Sequence, residues 1–222
     1  MNAARNVFLD RLRSFRAENV FNPWSQRSAD DVAGNGPAAR RRRLAAHLAV
    51  DAAQVLIGEA PGYQGCRISG IPFTSERLII AGAIPRVVDE ARLSTRALPW
   101  SEPSATIVWS TLHELGIAPT TILWNAFPWH PYCQDNPCSN RAPTRAECQS
   151  GLSIVESLLA IVPRARLFAV GRCAERVLTE IGREAVVLRH PAQGGAGQFR
   201  RKLRAALCAH GPSLAVAAKR AR

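Results

Sequence analysis

Apolar residues fall along the chain in two rhythms. Four short runs are apolar or β-branched without alternation: Gln54–Gly58, Thr120–Asn125, Arg166–Val170 and Ala185–Leu188. Runs of that kind are strands buried on both faces, as in a parallel sheet. Between them, apolar positions recur three or four residues apart, which predicts helices. The first spans 2–19, with Val7, Phe8, Leu12, Phe15 and Val20 on or near one face, and Pro23 stops it. A second opens at Arg40-Arg41-Arg42-Arg43 and runs through Leu44, Leu48 and Val50. Further helices are predicted over Glu76–Ala83, Ser104–Leu115, Thr144 to about Ile161, Gly171–Ile181 and Gln198–Cys208. Gly116 suits the position after a helix end. Thr144 with Glu147 three residues on is a capping box. Residues 84–103, broken by Pro85, Pro99 and Pro103, predict no element, and 25–39 and 126–143 are loops.

Helix and strand alternating four times predicts an α/β fold, a three-layer α/β/α sandwich around a central, mainly parallel four-stranded sheet. Residues 1–50 form a helical extension expected to pack on the domain of 51–210, and 211–222 a basic, disordered tail. In a parallel sheet the loops after the strands emerge on one side. Three of them carry chemistry: Gly58–Phe73, Asn125–Tyr132 and His190–Gly197. The first is rich in Gly and Pro, as ligand loops at the carboxyl edge of open sheets are. Asn125 offers an amide that matches a base edge presenting a donor beside an acceptor, or it caps a strand-end turn. His190 can donate to a carbonyl oxygen gaining charge, or satisfy loop backbone. Phe73 taken by itself is a core residue, and Glu59 a carboxylate accepting loop N–H bonds.

Gly58-Glu59-Ala60-Pro61-Gly62, then Gly65-Cys66-Arg67-Ile68-Ser69-Gly70 and Phe73-Thr74, resembles the first motif of the uracil-DNA glycosylase superfamily, in its bacterial and archaeal branches. Asn125 followed by a Pro-rich loop and Asn140-Arg141-x-Pro143 is similar to the second motif. His190-Pro191 is similar to the third, with Ala192 where the family has serine. The resemblance covers about 53–207. It implies a DNA repair glycosylase that flips out uracil, or a related deaminated base, and hydrolyses its glycosidic bond without a cofactor or metal. It implies catalytic roles for Glu59 and His190, and substrate binding by Gly58, Ala60, Pro61, Gly62, Tyr63, Phe73 and Asn125. Tyr63 falls where some members crowd the thymine methyl. The acid that other branches carry next to the proline is absent at Ala60. Gln193 enters the minor groove in this scheme, since no large apolar residue precedes Phe199. The rival readings are a non-catalytic nucleic-acid binder and a glycosylase for another damaged base.

Charge agrees with a DNA partner: the formal net charge is +12 and the pI near 10.8. Arg67, Arg141, Arg189, Arg200, Arg201 and Lys202 are candidate phosphate contacts, and Arg40–Arg43 a solvated helix start. Nothing approaches the ~20 apolar residues of a membrane span. The amphipathic start and six cysteines without a C-x-x-C pair imply reduced thiols in the cytoplasm, and the resemblance implies a monomer. Some branches hold an iron–sulfur cluster on four cysteines, a pattern this spacing does not match, so none is expected. Zinc on Cys133, Cys138, Cys148 and His130 is a lesser alternative.

Overall fold

The computed structural model describes residues 2–88 and 91–209, and the predicted tail lies outside them. In chain order the elements are α1 (Asn2–Ser14), β1 (Val20–Phe21), α2 (Pro37–His47), β2 (Gln54–Gly58), α3 (Cys66–Ser69), α4 (Glu76–Ile80), α5 (Pro103–Glu114), β3 (Thr121–Asn125), β4 (His130–Pro131), α6 (Arg145–Ile161), β5 (Arg166–Val170), α7 (Arg172–Glu180), β6 (Val186–Leu188) and α8 (Ala196–Cys208). A 3-10 turn, Ala118–Thr120, precedes β3. The main sheet runs β3-β2-β5-β6, all parallel, with Gly58 opposite Asn125 and Ile57 opposite Ala169. The α/β sandwich with its four-stranded parallel sheet is therefore as the sequence predicts.

Both sheet faces are covered. Val55 and Ile57 join the core beneath α1, α6 and α7, while Leu56, one residue off in the pleat, joins the core beneath α5 and α8. Phe8 and Leu12 of α1 are buried, and Phe8 packs 5.2 Å from Trp124 between ring centroids. α1 ends at Ser14, five residues short of its predicted end, because the side chains of Asn22 and Trp129 take its last carbonyls. Asn22 Nδ2 donates to Leu12 O at 2.8 Å and to Phe15 O at 3.1 Å, and Trp129 Nε1 donates to Leu12 O at 3.0 Å. β1 and β4, an antiparallel pair too short to show a period, were not predicted. The capping box on α6 is present, with Thr144 and Glu147 satisfying each other's backbone N–H.

The Arg40–Arg43 run corrects one expectation. It is no solvated helix start: Arg40 and Arg43 are buried. Arg40 pairs with Asp31 and donates to Ile68 O at 3.1 Å and Gln26 O at 2.9 Å. Arg43 donates to Ser69 O at 2.8 Å and to Asn35 Oδ1. Both guanidinium groups thus hold the carbonyl end of α3, inside the loop that follows β2.

Candidate active site

The three loops singled out by sequence do meet at the carboxyl edge of the sheet. The β2 loop is held from several sides. Trp24 Nε1 donates to Gly70 O at 3.1 Å, Ser69 Oγ to Thr74 O at 2.6 Å, and Trp109 Nε1 to Thr74 Oγ1 at 3.1 Å. Gly70 takes a positive φ of 78°, and a Cβ there would meet Arg40 at 2.5 Å. Such a loop is fixed before any ligand arrives.

At its far end Phe73 adopts φ 51°, unusual for a non-glycine residue, and is buried. Its ring lies over Gly58: a Cβ on Gly58 would sit 2.2 Å from Phe73 Cζ and 3.1 Å from Asn125 Oδ1. Asn125 is 2% exposed, and its Nδ2 is sealed from solvent with no hydrogen-bond partner. A buried amide left open is rare, because desolvation without a partner costs roughly 1–3 kcal/mol. The turn-cap alternative is therefore not what Asn125 does with its donor. The His190 ring stands 6.4 Å from the Phe73 ring, centroid to centroid. Its Nδ1 accepts from Ala192 N at 3.2 Å, so the proton of the neutral ring sits on Nε2. Burial, then Arg189, holds the His190 pKa below its ordinary value, so the ring is neutral at pH 7.

Beside these groups lies a cavity of about 800 Å³. Glu59, Ala60, Pro61 and Gly62 form one wall, Asn140 and Arg141 a second, and His190 to Gly194 a third. Glu59 follows Gly58 in the pleat, so it leans to the α6 and α7 side, near enough to Cys148 and Cys173 to add to the burial that raises both thiols. Asn140 Oδ1 accepts from Tyr63 N at 2.9 Å, and the Tyr63 ring packs edge-on against Trp100 at 5.4 Å. His130, fully buried beneath this wall, meets Pro61 O at 2.8 Å and Pro137 O at 3.2 Å, and burial pushes its pKa down to about 4.

The family model described as the uracil DNA glycosylase superfamily matches residues 46–210. The chain belongs to that superfamily. No curated protein matches it in sequence. Among solved structures it is similar to wild-type SMUG2 of Pedobacter heparinus, with a TM-score of 0.64 at 14% identity, over 95% of this chain and 99% of that one. At that identity the likeness shows the fold. Superfamily membership carries a DNA-directed, glycosylase type of function at the level of the family.

The basic residues of this superfamily member divide sharply. Arg67 is a correction: it is 2% exposed, bonded to Asp30 at 2.7 Å and Ser28 Oγ at 2.8 Å, and supplies no surface to a phosphate. Arg141 lines the cavity, but its guanidinium forks onto Glu147 at 2.6 and 2.7 Å. Arg200 is half-buried, with one contact to Ser110 Oγ at 3.4 Å. Arg189, Arg201 and Lys202 are exposed and, with Arg172, line a concavity of about 820 Å³ that shares His190 with the first. Gln193 is exposed at the loop tip with φ 51°, and Phe199 is fully buried. Among the described residues no group of three or more His, Cys, Asp or Glu side chains could hold a metal. Cys148 lies 3.5 Å from Cys173, sulfur to sulfur, rather than beside Cys133 and Cys138.

Sequence reasoning missed Glu102. It lines the 800 Å³ cavity, and its Oε2 is sealed and unpartnered. It stands at the end of the stretch 84–103 that the hydrophobic pattern left unassigned. Its only advance signal is a carboxylate immediately before a helix-starting proline.

Proposed function

We propose that the protein removes uracil, or a related deaminated base, from DNA by hydrolysing its N-glycosidic bond. One observation carries this reading: the buried Asn125 amide with an open donor, beside Phe73 and Gly58. Uracil presents O4 and N3–H side by side, and a carboxamide answers both, Nδ2 donating to O4 and Oδ1 accepting from N3–H. Phe73 supplies the stacking face. As the C1′–N1 bond breaks, its electron pair moves onto the base and charge collects on O2. The Nε2–H of neutral His190 stabilises that charge by donating a hydrogen bond, with no need to give up its proton. Arg189, Arg201 and Lys202 offer cations to the phosphates flanking the flipped nucleotide.

The test is alkaline cleavage of a uracil-containing oligonucleotide, single-stranded and as U·G and U·A duplexes. The wild type is expected to give scission at uracil. Asn125→Ala and His190→Ala should each lower the single-turnover rate by roughly 10²- to 10³-fold, the loss typical of one transition-state hydrogen-bond donor. No scission on any of the three substrates, with DNA binding retained, would sink the uracil assignment and leave another lesion or a binding role.

A further inference from the structure

Among the described residues, Glu102 is the least explained charged group. It occupies the N-cap position of α5, yet its side chain makes no capping bond. Among the described residues neither carboxylate oxygen has a hydrogen-bond partner, and Oε2 is sealed from solvent. An unpaired carboxylate in such a place is costly, and in native proteins calls for a reason beyond packing. The first-motif loop is shaped around it. A Cβ on Gly65 would lie 1.6 Å from Oε2, and one on Gly62 3.8 Å from Oε1. The carboxylate fills the space that a side chain at position 65 would take. A carboxylate from the start of α5 thus stands against the first-motif loop at Gly62 and Gly65.

From this geometry, and resting on the glycosylase reading above, we infer that Glu102 is the carboxylate that takes the proton from the attacking water. Water adds its oxygen to C1′, the C1′–N1 electron pair leaves with the base, and the water proton passes to Glu102. Glu59 shares the cavity but leans toward Cys148 and Cys173, away from the side of Phe73 and Asn125. Burial pushes Glu102 up to about 7, so at neutral pH the acid and base forms coexist, as a general base requires. The ionisable groups around it are the Cys66 thiol, which it couples to, and across the cavity Glu59, Arg141 and His190.

The test is the single-turnover rate on single-stranded uracil oligonucleotide from pH 5 to 9 for wild type, Glu102→Gln, Glu59→Gln and Gly65→Ala. The wild-type rate should rise through about pH 7 and level off. Glu102→Gln should fall by roughly 10²- to 10⁴-fold and lose that limb, leaving at most the more acidic one of His190. Glu59→Gln should keep it, and Gly65→Ala, which displaces the carboxyl, should lose it. A second arm reads binding alone. An abasic-site oligonucleotide carrying a cationic pyrrolidine in place of the sugar should bind at least tenfold more weakly to Glu102→Gln than to wild type at pH 8, with a neutral tetrahydrofuran analogue unchanged. Retention of rate and limb in Glu102→Gln, or their loss in Glu59→Gln alone, overturns the assignment. If the wild type cleaves no uracil substrate, the uracil reading fails by itself. The charge-selective binding then decides whether Glu102 faces the sugar: equal affinities would remove Glu102 as well.

Discussion

Gly58 shows how much a single absent side chain can fix. Its α-hydrogen lets the Phe73 ring close over the end of β2 beside Asn125. Any Cβ would lie 2.2 Å from that ring. Gly58→Ala is therefore expected to displace Phe73 rather than to unfold the sheet. Overpacking should cost about 1–3 kcal/mol in a urea melt. Misplacing the stacking face by about 1 Å should lower the excision rate by roughly 10²-fold. A rate within threefold of wild type would show that Phe73 does not set the base position. At this scale the sequence was partly legible. Asn125, His190, Phe73 and Gly58 were visible because each ends a strand or closes a motif. Arg67 was misjudged because a charge in a motif loop looks the same whether it meets a phosphate or, as here, Asp30 and Ser28. Burial is a property of the fold, and one guanidinium in the sequence does not reveal it.

Among the elements, the irregular stretch that sequence could not name is the one that delivers Glu102 to the cavity. Residues 91–101 have no regular structure beyond a single bridge from Ser94 to Asp31. They are organised by Glu76, the first residue of α4. Its buried carboxylate accepts from Leu93 N, Ser94 N, Ser94 Oγ, Trp100 N and Arg92 Nε at 2.5 to 3.0 Å. Burial alone would raise its pKa. The hydrogen bonds, that from Ser94 first, outweigh burial and hold it below the ordinary carboxylate range. Trp100 is then fixed two residues before Glu102. Glu76→Ala should lose about 3–5 kcal/mol of stability, the cost of leaving buried partners unpaired. It should also reduce the excision rate, because Glu102 loses its mooring. Chemical denaturation beside single-turnover cleavage would check both, and a stable variant would deny Glu76 this role. The strands were legible because fully buried parallel strands are apolar without a break. The stretch 91–103 was not, since it is held by distant groups, Glu76 foremost and then Asp30 to Asn35, that no local period reports.

For the whole molecule, the pH dependence of stability follows from a few buried groups. His47 is fully buried, its Nε2 accepts from Leu123 N at 3.0 Å on the outer edge of β3, and burial pushes its pKa down to about 3. His130 stands at about 4. Both are neutral when folded but titrate near 6.5 when unfolded, so the unfolded chain binds more protons below that pH. Stability from these two is complete above about pH 6.5 and is lost as pH falls toward 4. Glu102 acts oppositely: its raised pKa favours the folded state at low pH, an advantage lost as pH rises from 4.5 through about 7. Two histidines against one carboxyl leave a net gain of stability from pH 5 to 7, about 1–2 kcal/mol. Urea midpoints at the two pH values measure it, and equal midpoints would contradict it. Glu102→Gln should steepen the rise.

The order of the sheet has a consequence for how the chain comes into being. β2 lies in the middle, pairing on one side with residues 121–125 and on the other with 166–170. On the ribosome, then, its apolar run Val55-Leu56-Ile57 emerges long before either partner exists. At about 5–20 residues per second, it waits on the order of ten seconds for β5. Helix α1 is in the same position, since its Phe8 and Leu12 rest against Trp124 and Trp129, which are made much later. This domain cannot assemble piecemeal from its N-terminus. Until Val170 has cleared the exit tunnel, the nascent chain carries its future core in the open.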